Sequence, residues 1–164
     1  MTTTNVSYGS NTALTVTGLS SLASSQTVGW QSDVIDNTST KADDYLVSIK
    51  LAMANTAGGN DKAAYLYLCP VYYDGSTNYY TDGGTATLPS GSNGSYTIAL
   101  PNDLVPLTVL NYATTNMTMQ KTVSIAAVTG GIIPKKFSFI VVNYTGAAVS
   151  SSAINLLPVT FTSA

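Results

Sequence analysis

In the stretch Asp44-Tyr-Leu-Val-Ser-Ile-Lys-Leu-Ala-Met-Ala54, the residues Tyr45, Val47, Ile49, Leu51 and Met53 fall on one face. Ser48 and Lys50 fall on the other. A period of two sustained this long predicts a strand with one face in a core and the other in water. Working outward from it, Asp61-Lys62 opens a second strand, Ala63 to Tyr73. Pro70 sits inside that run and predicts an edge position or a bulge. Asp74-Gly-Ser-Thr-Asn78 reads as a hairpin loop leading to Tyr79-Tyr80, with a further turn at Asp82-Gly83-Gly84.

The remainder continues in the same manner. A Gly/Ser-rich loop from Pro89 to Ser95 precedes a strand from Tyr96 to Leu100. Pro101 and Pro106 bracket the approach to another strand, Leu107 to Tyr112. Met117 to Val128 is a long β-branched segment closed by Thr129-Gly130-Gly131. Lys136 to Tyr144 is apolar on both faces over most of its length, which predicts a central strand. Val149 and Ile154 to Thr162 supply the last strand. Helical signals are confined to short pieces near Ser20–Ser25 and Ala52–Ala57. Eight or so short strands with regularly spaced turns predict an all-β, single-domain antiparallel β-sandwich of jelly-roll type. The domain is expected over 13–164, with the polar Met1 to Thr12 as a flexible arm.

Composition narrows the function. Only 9% of the 164 residues are charged, six lysines and eight aspartates, and Arg, Glu and His are all absent. The usual proton shuttle and the bidentate anion clamp are therefore missing. A hydrophobic share of 45% is ordinary for a globular protein. Ser, Thr and Asn supply most of the polarity, giving a neutral surface with a net charge of −2 that favours association. Six scattered lysines make no basic stripe, so nucleic acid is not an expected partner. No apolar run reaches the roughly 18 residues of a spanning helix, and Met1 to Asn5 lacks the features of a secretory signal.

Candidate chemistry is thin. Without histidine there is no Ser/His/Asp or Cys/His arrangement, and one cysteine cannot build a zinc site. A Ser/Lys dyad through Lys41, Lys50 or Lys121 is picked out by no local motif. A pair of carboxylates for glycoside hydrolysis has to come from Asp33 with Asp36, or from Asp43 with Asp44. Both pairs flank turns, where aspartate more often accepts from nearby backbone amides. Asp74, Ser76 and Asn78 alternate as in the start of a calcium loop, but the closing glutamate is absent and a hairpin turn explains them. Cys69, among apolar and aromatic neighbours, reads as a small buried hydrophobe. No catalytic residue, metal or cofactor is expected, and the chain reads as a non-enzyme.

The positive signal is tyrosine, eleven in all. Tyr65, Tyr67, Tyr72, Tyr73, Tyr79 and Tyr80 cluster across one expected hairpin. Amphipathic rings suit interfaces, because they bury much area while keeping a polar tip. They also serve as sugar-stacking platforms, and cross-strand packing at half-exposed positions is the plain alternative.

Two stretches carry a resemblance. One is Leu22-Ala-Ser-Ser-Gln-Thr-Val-Gly-Trp-Gln-Ser-Asp-Val-Ile-Asp-Asn-Thr-Ser39, continuing into Asp44–Leu51. The other is Val123-Ser-Ile-Ala-Ala-Val-Thr-Gly-Gly-Ile-Ile-Pro-Lys-Lys-Phe-Ser-Phe-Ile-Val-Val-Asn-Tyr-Thr-Gly-Ala-Ala148. Both resemble small β-sandwich virion proteins of tailed bacteriophages. The resemblance implies a virion component assembled in the host cytoplasm, a capsid decoration or cement protein contacting the major capsid protein and copies of itself, commonly as a trimer. It brings no catalytic residues. The alternative is a glycan-binding module on head or tail, with a host glycan as partner, using the tyrosines and Trp30.

Overall fold

The computed structural model describes residues 4–59, 62–73, 78–80, 93–97 and 104–163, with 72–73 and 78–80 described by their backbone. In chain order the strands are β1 (Thr4–Tyr8), β2 (Thr12–Ala13), β3 (Val28–Gln31), β4 (Ile35–Asp36), β5 (Asp44–Met53), β6 (Ala63–Tyr73), β7 (Asn78–Tyr80), β8 (Gly94–Thr97), β9 (Val105–Asn111), β10 (Thr118–Ser124), β11 (Lys136–Asn143) and β12 (Val149–Ser163). Two short helices, α1 (Asn37–Thr40) and α2 (Ile125–Thr129), and a 3-10 turn at Leu19–Ser21 interrupt them.

The pairing follows one rule, first with last. β1 and β2 lie on β12, β3 and β4 on β11, β5 on β10, and β6 on β9, all antiparallel. A ribbon of four such pairs rolled on itself is a jelly roll. Its two sheets are closed by the β12–β5 and β11–β6 ladders. The first sheet runs β1-β12-β5-β10 and the second β7-β6-β11-β3-β8. The expected all-β sandwich is what the chain forms.

The alternation that predicts β5 is realised: Val47, Ile49, Leu51 and Met53 are buried between the sheets, and Lys50 is exposed. Phe137, Phe139 and Val141 of β11 meet them from the other side, together with Trp30, Leu66 and Leu68. The opposite face of β11 is buried as well, with Ile140 and Val142 in a second cluster beside Cys69 and Tyr96. β11 is central, as its two apolar faces require.

Three features depart from the sequence reading. Pro70 is neither at a free edge nor at a bulge. It pairs with Phe137 on one side, and on the other it falls between the last β9 pairing at Leu68 and the first β7 pairing at Val71. A residue without N–H is tolerated there because the ladder is changing partner. Pro106 is the proline at a bulge: it lies within β9 opposite Tyr67, where the register shifts between Leu66 and Tyr67. The segment expected to run as β structure to Val128 turns into α2 at Ile125. Ser124 caps it, its hydroxyl accepting from the Ala127 amide at 3.0 Å, and Gly130 ends it in the left-handed region at φ 74°.

Two boundaries also shift. β12, the expected last strand, runs for fifteen residues through Ser150 to Ala153 as well. β8 begins at Gly94, and the Asp82-Gly83-Gly84 turn lies outside the described residues. The opening segment expected as an arm contains β1, which pairs along the far half of β12 from Thr4↔Ser163 to Tyr8↔Val159.

Candidate contact surface

The carboxylates that invite a catalytic reading are each occupied by backbone. Asp36 Oδ1 accepts from the Thr38 amide at 2.8 Å, capping α1, and its other oxygen lies 3.4 Å from Lys136 Nζ. Asp33 Oδ1 accepts from the Asn93 amide at 2.7 Å. Buried Asp44 accepts from the Ala126 amide at 2.8 Å and from the Ser124 hydroxyl at 2.6 Å, tying α2 to the start of β5. Asp43 Oδ2 accepts from the Phe161 amide at 2.6 Å. All four hold chain segments together, the role that aspartate beside a turn ordinarily has.

Thr38 is the main reason the Asp36 carboxyl sits below its ordinary value of 3.8. Its hydroxyl and amide both donate to the ionised form, and Lys136 adds to them. Among the described residues no group of three or more His, Cys, Asp or Glu side chains is placed to hold a metal ion. The Asp74–Thr77 part of the expected calcium-like loop lies outside the described residues.

Trp30 is not a surface ring. It is fully buried in the core, its indole N–H donating to Thr17 O at 2.9 Å and to Asn93 Oδ1 at 3.2 Å. Asn93 also donates through its amide to Thr15 O. A sugar-stacking role for Trp30 is therefore corrected: its face is committed to packing. Cys69 is buried, as expected from its neighbours.

The tyrosines divide. Tyr65 and Tyr67 alternate along β6 on the outer face of the second sheet and are half-buried, with ring centroids 6.2 Å apart and nearly parallel planes. Tyr144, which the sequence does not single out, meets Tyr65 edge-on at 5.8 Å. Burial is the first cause that raises the Tyr67 hydroxyl above its ordinary 10.0, followed by the neighbouring Tyr144 and Tyr65. Tyr72 and Tyr79 are backbone partners, as are Val71 and Tyr80, so the expected hairpin forms. The side chains of Tyr72, Tyr73, Tyr79 and Tyr80 lie outside what is described.

Uncovered apolar surface lies elsewhere. β5 begins opposite Val159, so β12 beyond that point continues with β1 as a two-stranded ribbon past the end of the sandwich. Tyr8 faces Val159 and Val6 faces Phe161, which places all four on one face of the ribbon. That face is the outer side of the first sheet, since Val159 lies opposite Asp44 and follows the alternation of Asn155, which pairs with Ser48. Val6 and Phe161 are each 50% exposed and Tyr8 61%. An apolar stripe thus starts at buried Val159 on the outer face and runs out into solvent. Its signal is present in the sequence as the alternation of Val6 and Tyr8 with Asn5 and Ser7, and of Val159 and Phe161 with Thr160 and Thr162.

Toward β10 the same outer face of the first sheet turns polar. Ser48, Lys50, Gln120, Thr122 and Asn155 line an open depression there, and the Ser48 and Thr122 hydroxyls share a hydrogen bond of 2.8 Å. No protein-family model, curated protein or solved structure matches the chain.

Proposed function

We propose that this protein is a structural component of a virion, a decoration protein that works by protein–protein contact. The observation that carries the contact reading is the projecting β1/β12 ribbon with Val6, Tyr8 and Phe161 on one uncovered face. Contiguous apolar side chains left exposed on one face mark a place where another protein sits. The commitment of Asp33, Asp36, Asp43 and Asp44 to backbone amides supports the same reading, because it leaves these carboxylates structural work. Placement on a virion, beside a major capsid protein, is supported by the sequence resemblance and by the use of the jelly roll in capsid domains.

The test is occupancy on the parent particle. Phe161→Ser or deletion of residues 1–8 is expected to lower the copies per particle in electron microscopy, with the sandwich still folded. Undiminished occupancy removes the ribbon from the contact. A second reading, a glycan-binding module, is favoured by the half-buried Tyr65, Tyr67 and Tyr144 rings. Saturable binding on a glycan array, abolished by Tyr65→Ala with Tyr67→Ala, selects it over the first.

A further inference from the structure

We infer that the outer edge of β1 pairs with β1 of a second copy, antiparallel about a two-fold axis at Val6, joining two chains through one continuous sheet. The inference concerns the edge of the ribbon and stands apart from the virion reading, which concerns its apolar face.

The direction of the backbone groups comes first. The Gly9 amide donates to Pro158 O at 2.9 Å, so Gly9 turns its polar groups toward β12. Alternation along an antiparallel strand then turns Asn5 and Ser7 the same way and points those of Thr4, Val6 and Tyr8 outward. β12 agrees from its other side. Val159 O accepts from the Asp43 amide and the Phe161 amide donates to Asp43, which sends Pro158, Thr160 and Thr162 toward β1. The outward groups are therefore centred on Val6.

That centre makes the edge self-complementary. With two copies antiparallel about Val6, Val6 faces Val6 of the second copy and Thr4 faces its Tyr8. Each facing pair exchanges an N–H and a C=O, so every outward group finds a partner. On the apolar face the row Phe161, Val6, Val6, Phe161 becomes continuous across the two copies. On the other face Asn5 lies beside Ser7. Isologous contacts of this kind need a surface that matches itself.

Charge points the same way. Natural edge strands are commonly guarded by lysine, proline or an inward charge. The opposite edge of the same sheet, β10, carries Lys121 within its strand. β1, with the sequence Thr-Asn-Val-Ser-Tyr, carries neither a charge nor a proline. Two copies approach along it without repulsion. The closed two-fold gives a dimer, in place of the trimer that the resemblance implies.

Sedimentation velocity of the full chain over a concentration series tests this on isolated protein, so particle binding does not enter the result. The expected species is a dimer in exchange with monomer. Val6→Pro removes only an outward N–H and leaves the β12 ladder intact, while Val6→Lys sets like charges opposite each other at the axis. Both are expected to weaken self-association by roughly 100-fold with the thermal midpoint unchanged. If V6P lowers the midpoint, V6K decides. A wild-type chain that stays monomeric, a trimer, or a V6K variant that dimerises normally overturns the inference.

Discussion

Asp43 and Phe161 are joined where β12 leaves the sheet: the carboxylate of the first accepts the backbone amide of the second at 2.6 Å. Two residues earlier along β12, Val159 still pairs with Asp44 of β5. Asp43 therefore takes over as acceptor where β5 stops providing main-chain partners, and the ribbon leaves the sandwich with its first free amide satisfied. Asp43→Ala should speed hydrogen exchange at the Phe161 amide well beyond that of the β5-paired residues. The global cost should be small, about 0.5–1 kcal/mol for an exposed site. Unchanged exchange at Phe161 would count against the role given to Asp43.

Asn143 is a polar anchor within the core. It is fully buried, donates to Leu22 O at 3.1 Å and Ala147 O at 2.8 Å, and accepts from the amide and hydroxyl of Thr145 at 3.0 and 2.7 Å. Asn143→Ala strands several buried groups at once and should cost about 2–4 kcal/mol. Chemical denaturation with an unchanged slope and a lower midpoint checks it.

Trp30 reports on the core. Its emission should be blue-shifted and poorly quenched by acrylamide, and added sugars should leave it unchanged. Trp30→Phe keeps most of the packing but abandons the bonds to Thr17 O and Asn93 Oδ1, a loss of about 1–3 kcal/mol. Saturable quenching by a sugar would contradict the buried placement.

Two titrations bracket the pH range. The Asp36 carboxyl is held low first by Thr38 and then by Lys136, so its contribution is present above the ordinary value of 3.8 and fades as pH falls through the lower folded value. Asp36→Asn should flatten that acid limb. Tyr67 is shifted upward by burial first, so its contribution is present below 10.0 and is lost as pH rises through the higher folded value. Phenolate absorbance should show a late-titrating group that disappears in Tyr67→Phe.

Much of this architecture is legible in the chain because strand periodicity is a local signal. Tyr45 to Met53 alternates, Phe137 to Val142 is apolar on both faces, and the structure puts the first at a half-solvated sheet and the second at the centre of the other. What escapes reading is decided by partners distant in sequence. Pro70 is tolerated because β9 and β7 divide its neighbouring strand, which nothing near residue 70 announces. α2 forms in a β-branched run because Ser124 and the distant Asp44 take its first amides. The sequence points to the tyrosines as the candidate surface, because aromatic density is greatest there. Tyr65 and Tyr67 prove half-buried, and the most exposed apolar ring among those described, Tyr8, stands in a segment whose polar composition hides its alternation.

The unbroken run of β12 from Val149 to Ser163 has a mechanical consequence. The same strand that forms the ribbon is also paired along β5 from Val149 to Val159. A load applied at the ribbon tip and directed along the strand is carried into that ladder as shear, across many hydrogen bonds in parallel, rather than peeling them one at a time. An attachment made at this end would thus pull on the most extensively paired part of the molecule, and the fold would bear tension best in the direction in which its projection points.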